Sequence, residues 1–214
     1  PVLYKRAMPD RLRKLAVPQG VVGAIEVECS PLVEDNQWVL DVAAKDRIIV
    51  GTVGNLEPGK PEFAAQLEKL AKNPLFRGIR CGTLWGRRFT EDVERPQFLD
   101  GLKRLASARL TMDAATASPQ LIRDLLRVTG QVPELTVVID HLPQMNPPED
   151  AAARKAYESD LVELAKNPRV FVKISEVLRR VEGKVPMDLV FYKPRLDYLW
   201  QVFGEDRVIF GSDW

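Results

Sequence analysis

The sequence predicts an α/β fold, a (β/α)8 barrel of the TIM type, and three observations carry that prediction. Short runs rich in β-branched residues recur along all 214 residues, and amphipathic segments separate them. Those runs are near-continuously apolar, as in parallel strands covered on both faces. The repeat is roughly 30 residues per β-α unit, which suits a barrel of usual length ~250 residues. Strict alternation of this kind implies parallel strands joined by right-handed helical crossovers. An open doubly wound sheet is the runner-up, but no GxGxxG or GxxxxGK[ST] phosphate loop follows any strand.

The strand runs are Val21–Val27, Ile48–Val53, Phe76–Cys81, Leu110–Met112, Leu135–Ile139, Val170–Ile174 and Val208–Phe210. Each is bounded by Gly, Pro, Asp or Asn, which favours strand over helix. Between them, Glu62–Lys72 places Phe63, Leu67 and Leu70 on one face, and Pro96–Ala108 does the same with Phe98, Leu102 and Leu105. Ser118 is a predicted N-cap with Pro119 at the first helical position, followed by the stripe Leu121, Leu125 and Val128. Ala151–Lys166 and Pro194–Phe203 supply two more helices. Asn73-Pro74 and Asn167-Pro168 are helix stops, because proline pushes its predecessor out of the α region. The polar stretch 144–156 reads as a long βα loop. No composition break divides the chain, so residues 1–214 form one predicted domain. Seven strands stand where a closed barrel needs eight, and the chain ends at its last strand. The expectation is therefore a barrel incomplete at both ends, with its first strand upstream of Pro1 and its final helix beyond Trp214.

Composition narrows the function. The 31 basic and 30 acidic side chains leave a net charge of +1, so no global field favours nucleic acid or an anionic membrane. No apolar run reaches the ~18–20 residues of a bilayer span, and no signal-peptide order opens the chain. Two cysteines, Cys29 and Cys81, form no CxxC pair and suit a reducing compartment, so a cytoplasmic location is expected. There is a single histidine, His141, too few for a self-sufficient multi-histidine metal centre.

Chemistry in a barrel of this type sits where strands end and βα loops begin. Residues just past the runs are Glu28, Cys29 and Ser30; Asn55 and Glu57; Arg80, Cys81, Trp85, Arg87 and Arg88; Asp113; Asp140 and His141; Lys173 and Ser175; and Ser212 and Asp213. His141 directly follows VVID, where it can serve as metal ligand, as acid–base group or as a hydrogen-bonded structural residue. Asp213 can activate water, hold a metal or cap a helix. Arg80, if it points inward, presents a fork that suits a carboxylate or a polarised carbonyl oxygen. Arg87 and Arg88 can clamp an anionic substrate or simply be solvated loop charges. Lys173, inside an apolar strand, needs a partner or a cavity: it either orients substrate or pairs with a neighbouring strand's carboxylate.

Several of these motifs together resemble the metal-dependent hydrolases of the amidohydrolase superfamily, in its amidohydrolase-2 branch. The residues that carry the resemblance are VVIDHLP at 137–143, VFVKIS at 170–175 and DRVIFGSDW at 206–214, with support from FRGIRCG at 76–82 and IEVECSP at 25–31. Their order is most similar to the lactonase-like group, which includes sugar-acid lactonases and the lactonase of pyrone dicarboxylate. The resemblance covers the chain from about Met8 onward. It implies that His141 is the histidine ending the family's sixth strand, and that Asp213 is the aspartate ending its eighth, which takes a proton from attacking water and passes it to the leaving group. It also implies an HxH pair on a first strand upstream of Pro1. The expected activity is hydrolysis of a lactone or similar cyclic ester, with Asp213 and His141 catalytic and Arg80, Arg87, Arg88 and Lys173 binding substrate. His141 and Asp213 are the metal-ligand candidates; one zinc or manganese ion fits the resemblance, and so does a metal-independent site. The expected substrate is a carboxylated or sugar-derived lactone, with homo-oligomer formation compatible and neither nucleic acid nor membrane as partner. Rival readings are a metal-dependent decarboxylase of the same branch and a non-catalytic barrel that binds small acids.

Overall fold

The structure, a computed structural model, describes residues 6–144, 147–178 and 180–213. Helix α1 (Pro9–Ala16) leads into β1 (Ala24–Val27), α2 (Asp35–Ala43), β2 (Ile49–Gly54), α3 (Phe63–Leu70) and β3 (Phe76–Gly82). Then come α4 (Phe89–Asp92), α5 (Pro96–Ser107), β4 (Thr111–Ala115), α6 (Pro119–Gln131) and β5 (Thr136–Ile139). The chain continues through α7 (Ala151–Ala165), β6 (Val170–Ile174), α8 (Leu189–Phe203) and β7 (Val208–Phe210). The seven strands form one sheet in sequential order, every neighbouring pair parallel. This is the α/β architecture expected, with seven parallel strands in an open, barrel-like sheet.

Strand alternation sorts the side chains into two environments. Ile79, Cys81, Met112, Ala114, Val137, Ile139, Val170 and Val172 face outward and are buried against Leu102, Leu105, Ile122, Leu125, Leu161 and Leu164 of the helices. Each such side chain contributes about 1.5–3 kcal/mol of hydrophobic stabilisation, so this layer holds the fold. The residues between them, Arg80, Asp113, Asp140 and Lys173, line the other face. There Lys173 of β6 reaches Asp113 of β4, and Arg80 of β3 reaches Asp140 at the end of β5. Partners two strands apart meet this way only on the concave side of a curled sheet.

Local sequence explains the elements. Ser118 caps α6 by accepting from the Leu121 N–H, with Pro119 at the helix start. Asp150 caps α7 in the same way, so the segment expected as loop over 144–156 turns helical at Ala151; residues 145–146 lie outside the described residues. Helix α8 begins at Leu189, five residues before the expected Pro194 start, because Asp188 caps it through the Val190 N–H. Pro194 then lies inside the helix, at the cost of one backbone bond. At Gly54 a Cβ would sit 2.1 Å from Asn36 Oδ1. That clearance lets the buried Asn36 clasp Asn55, accepting from its N–H at 2.8 Å and donating to its carbonyl at 2.9 Å. The end of β2 is thereby tied to α2. Among the described residues, no helix is long and apolar enough to cross a membrane.

Candidate active site

The strand ends converge on one concave surface. Its floor is an ionic chain: Lys173 Nζ donates to Asp113 Oδ2 at 2.5 Å and to Asp140 Oδ1 at 2.7 Å, and Arg80 Nε donates to Asp140 Oδ2 at 2.8 Å. Asp113 and Asp140 are almost wholly buried. Burial pushes the Asp113 carboxyl up to about 6, against the pull of the Lys173 ammonium. Lys173 in turn is held above its usual range by the two carboxylates, which outweigh its own desolvation. A lysine in an apolar strand thus finds its partner in the carboxylates of neighbouring strand ends.

Above this floor stand His141, Ser175, Glu176 and Asp213, each at or just past a strand end. His141 Nε2 lies 3.3 Å from Arg80 Nη2 and 3.7 Å from Asp213 Oδ1, and its Nδ1 lies 2.8 Å from Ser175 Oγ and 3.9 Å from Glu176 Oε2. Arg80 can only donate, so in the neutral imidazole Nε2 is the acceptor and Nδ1–H donates to Ser175, a tautomer assigned from the hydrogen-bond network. The Nε2 lone pair therefore meets the Arg80 N–H, with Asp213 Oδ1 alongside. Donor atoms of His141, Glu176 and Asp213 lie within 4.8 Å of one another, a group able to hold a metal ion. Partial burial and the neighbouring Asp213 carboxylate raise the Glu176 pKa. All three residues have a left-handed backbone, with φ of 51°, 48° and 52°.

The arginines divide. Arg80 directs its remaining terminal nitrogen, Nη1, at the Glu28 carbonyl at 3.3 Å. Of its five N–H groups, three serve these described partners, which leaves two for an incoming oxygen. Arg87 donates to Asn55 Oδ1 and, at 3.3 Å, to the Arg80 carbonyl, and its Nε is 3.9 Å from Glu57. It braces the β2 and β3 ends from behind. Arg88 is exposed and paired with Glu91 at 2.9 Å. Trp85 donates its indole N–H to Glu28 Oε2 at 3.2 Å. A cavity of about 390 Å³, bordered by Leu56, Trp85, Arg87 and Phe98, opens beside the rim without including His141 or Asp213.

Glu176 is a candidate-site residue that sequence reasoning missed. Its signal was positional: it lies one residue past Ser175, as His141 lies one past Asp140. Glu28, Asp113, Asp140 and Ser175 were legible as strand-end residues without roles. Trp214, which ends the GSDW motif, lies outside the described residues.

Comparisons with known proteins bear on the family and the fold. The family model described as Amidohydrolase matches residues 1–214. An L-fucono-1,5-lactonase from Burkholderia ambifaria is 29% identical over 212 residues, covering 99% of this chain and 71% of that protein. An L-fucono-1,5-lactonase from Burkholderia multivorans is 26% identical over 223 residues, covering 100% of this chain and 73% of that protein. The crystal structure of an amidohydrolase from Burkholderia multivorans with bound zinc shares the fold, with a TM-score of 0.82 at 24% identity, over 100% of this chain and 75% of that one.

Proposed function

The chain belongs to the amidohydrolase family, and on that premise we propose that it opens a lactone ring by hydrolysis. The observation that carries the reading is the meeting of Asp213, His141 and Arg80 across the ends of three strands, with Asp213 and Arg80 both beside the same imidazole nitrogen. Asp213 takes a proton from a water molecule as the water oxygen bonds to the lactone carbonyl carbon. The two uncommitted N–H groups of Arg80 are placed to stabilise the charge that develops on the carbonyl oxygen, and His141 Nε2 steadies that guanidinium by accepting from it. The ring C–O bond then breaks, and Asp213 returns the proton to the departing ring oxygen, giving the open hydroxy acid. Lys173 holds Asp140, and Asp140 holds Arg80, so the floor of the site orients its polarising group. Arg87 supports the Arg80 backbone, and Arg88 stands at the outer rim.

The donor set fits a divalent ion. One imidazole nitrogen and two carboxylates suit zinc or manganese, with a position left open. When bound there, held by His141, Glu176 and Asp213, the ion would supply Lewis-acid polarisation. The reading also takes in a barrel completed by an eighth strand, supported by the sequential parallel order of the seven described. A cytoplasmic location is supported by the two free cysteines, Cys29 and Cys81.

Asp213→Asn tests the mechanism. In the full-length protein the expected result is a fall in kcat on L-fucono-1,5-lactone of about 100-fold or more, with unchanged circular dichroism. Turnover retained within a few-fold would overturn the assignment of Asp213 as base.

A further inference from the structure

Glu28, which follows β1, is 6% exposed, and its two carboxylate oxygens differ. Oε2 accepts from Trp85 Nε1 and from the Ser30 backbone N–H, both at 3.2 Å. Oε1 is buried and has no hydrogen-bond partner among the described residues. A buried carboxylate oxygen left without a donor is costly, and such groups in a native fold call for an explanation. The place is close to the chemistry: the guanidinium that touches His141 Nε2 also donates to the Glu28 carbonyl. Trp85 covers Glu28 from the rim. It is 48% exposed, sits at φ 57° in the loop after β3, and borders the 390 Å³ cavity, a size within the roughly 300–1,000 Å³ of small-molecule sites.

Building on the lactonase reading, we propose that Glu28 and Trp85 form a hydroxyl-recognising subsite that selects neutral, polyhydroxylated lactones over carboxylated ones. A carboxylate with an open oxygen is an acceptor seeking O–H donors, and the ring hydroxyls of a sugar lactone are such donors. In the structure the indole N–H occupies one oxygen and the other waits. The half-exposed indole offers an apolar face for the C–H side of a sugar ring. Charge points the same way. Glu28 is a carboxylate, and Glu26, two residues before it on the same strand, feels its charge. A substrate carboxylate seated at Oε1 would meet a like charge, whereas the hydroxyl of a neutral polyol would not.

The test compares L-fucono-1,5-lactone with 2-pyrone-4,6-dicarboxylate as substrates of the full-length protein. The sugar lactone is expected to win by about 100-fold or more in kcat/KM, the scale of an unfavourable like-charge contact. Glu28→Gln, which keeps shape but removes the charge, should raise KM for the sugar lactone about tenfold or more and narrow that preference, with kcat changed much less. A folded Glu28→Gln enzyme that keeps both KM and preference overturns the proposal, as does a wild-type preference for the dicarboxylate. If Glu28→Gln does not fold, Trp85→Phe and Trp85→Ala decide: a KM rise confined to the sugar lactone supports the subsite, and an equal rise for both substrates overturns it. If the wild type opens neither lactone, the lactonase reading fails by itself. The subsite is then judged by calorimetric binding of the lactam of L-fuconate, an uncharged analogue. Binding weakened about tenfold or more by Glu28→Gln upholds it, and binding that is absent or insensitive overturns it.

Discussion

Glu26 shows how a single side chain ties this molecule's stability to pH. It shares the concave face of β1 with Glu28, two residues on, by the alternation of an extended strand. Burial first, and then the Glu28 charge, lift its carboxyl from 4.5 to about 7. Between those values the folded chain keeps a proton that the unfolded chain has released. The stabilising contribution is therefore complete below about pH 4.5 and is lost as pH rises towards 7. Glu26→Gln, neutral at every pH, should stabilise the fold at pH 8 by about 1–2 kcal/mol after allowance for partial exposure. Urea melts at pH 5 and pH 8 check this: their difference should shrink in the variant. The sequence displayed this glutamate only as the polar member of an apolar strand. Its neighbour in charge is visible in the string, but its degree of burial is a product of the sheet's curl. The same holds for Lys173, whose need for a partner was legible while the identity of both partners was not. Asp113 and Asp140 come from other strands and meet it only in three dimensions.

At the scale of elements, caps and stops carried most of the readable information. Helix α6 is the clearest case, because Ser118 and Pro119 announce its start and the structure uses both. Ser118→Ala leaves the Leu121 N–H without its acceptor and should cost about 1 kcal/mol, read as a lower denaturation midpoint with an unchanged slope. Helix α8 was harder. Its proline suggested a start, since proline is most at ease in a first turn, yet Asp188 offers a stronger cap upstream and α8 closes over Tyr192, Leu199 and Phe203. Burial of that face outweighs one missing backbone bond. Strand β4 was the faintest of the seven in the sequence, because only Leu110–Met112 looked apolar. In the structure it runs Thr111–Ala115, with Asp113 buried in the ion pair with Lys173 and so able to sit within a strand.

For the whole molecule, the sequential order of seven parallel strands makes stability uneven across the sheet. Strands β4 and β5 are flanked on both sides and nearly all their residues are buried, whereas β1 and β7 pair on one side only among the described residues and are largely exposed or half-exposed. In the 214-residue chain taken by itself, amide hydrogen exchange should be slowest in β3 to β5 and fastest in β1 and β7, by several orders of magnitude, a gradient that the proposed eighth strand would level by pairing both edges. Uniform protection across all seven would contradict this gradient. Alternation of strand and helix was largely legible, because it is written in local periodicity, but α1, α2 and α4 were not among the helices it revealed. The concave polar face was only half legible: the residues at strand ends could be named, but their pairing depends on how strongly the sheet curls.

The left-handed backbone shared by His141, Glu176 and Asp213 sets a limit on how this protein can be improved. Glycine is at ease where these three are strained, and Glu176 sits at φ 48° beside a second carboxylate. Glu176→Gly should raise the melting temperature, gaining up to about 1 kcal/mol, while turnover falls. A selection for heat resistance alone would thus be drawn first to the rim where the proposed chemistry lies. Ruggedness and activity compete for the same three positions.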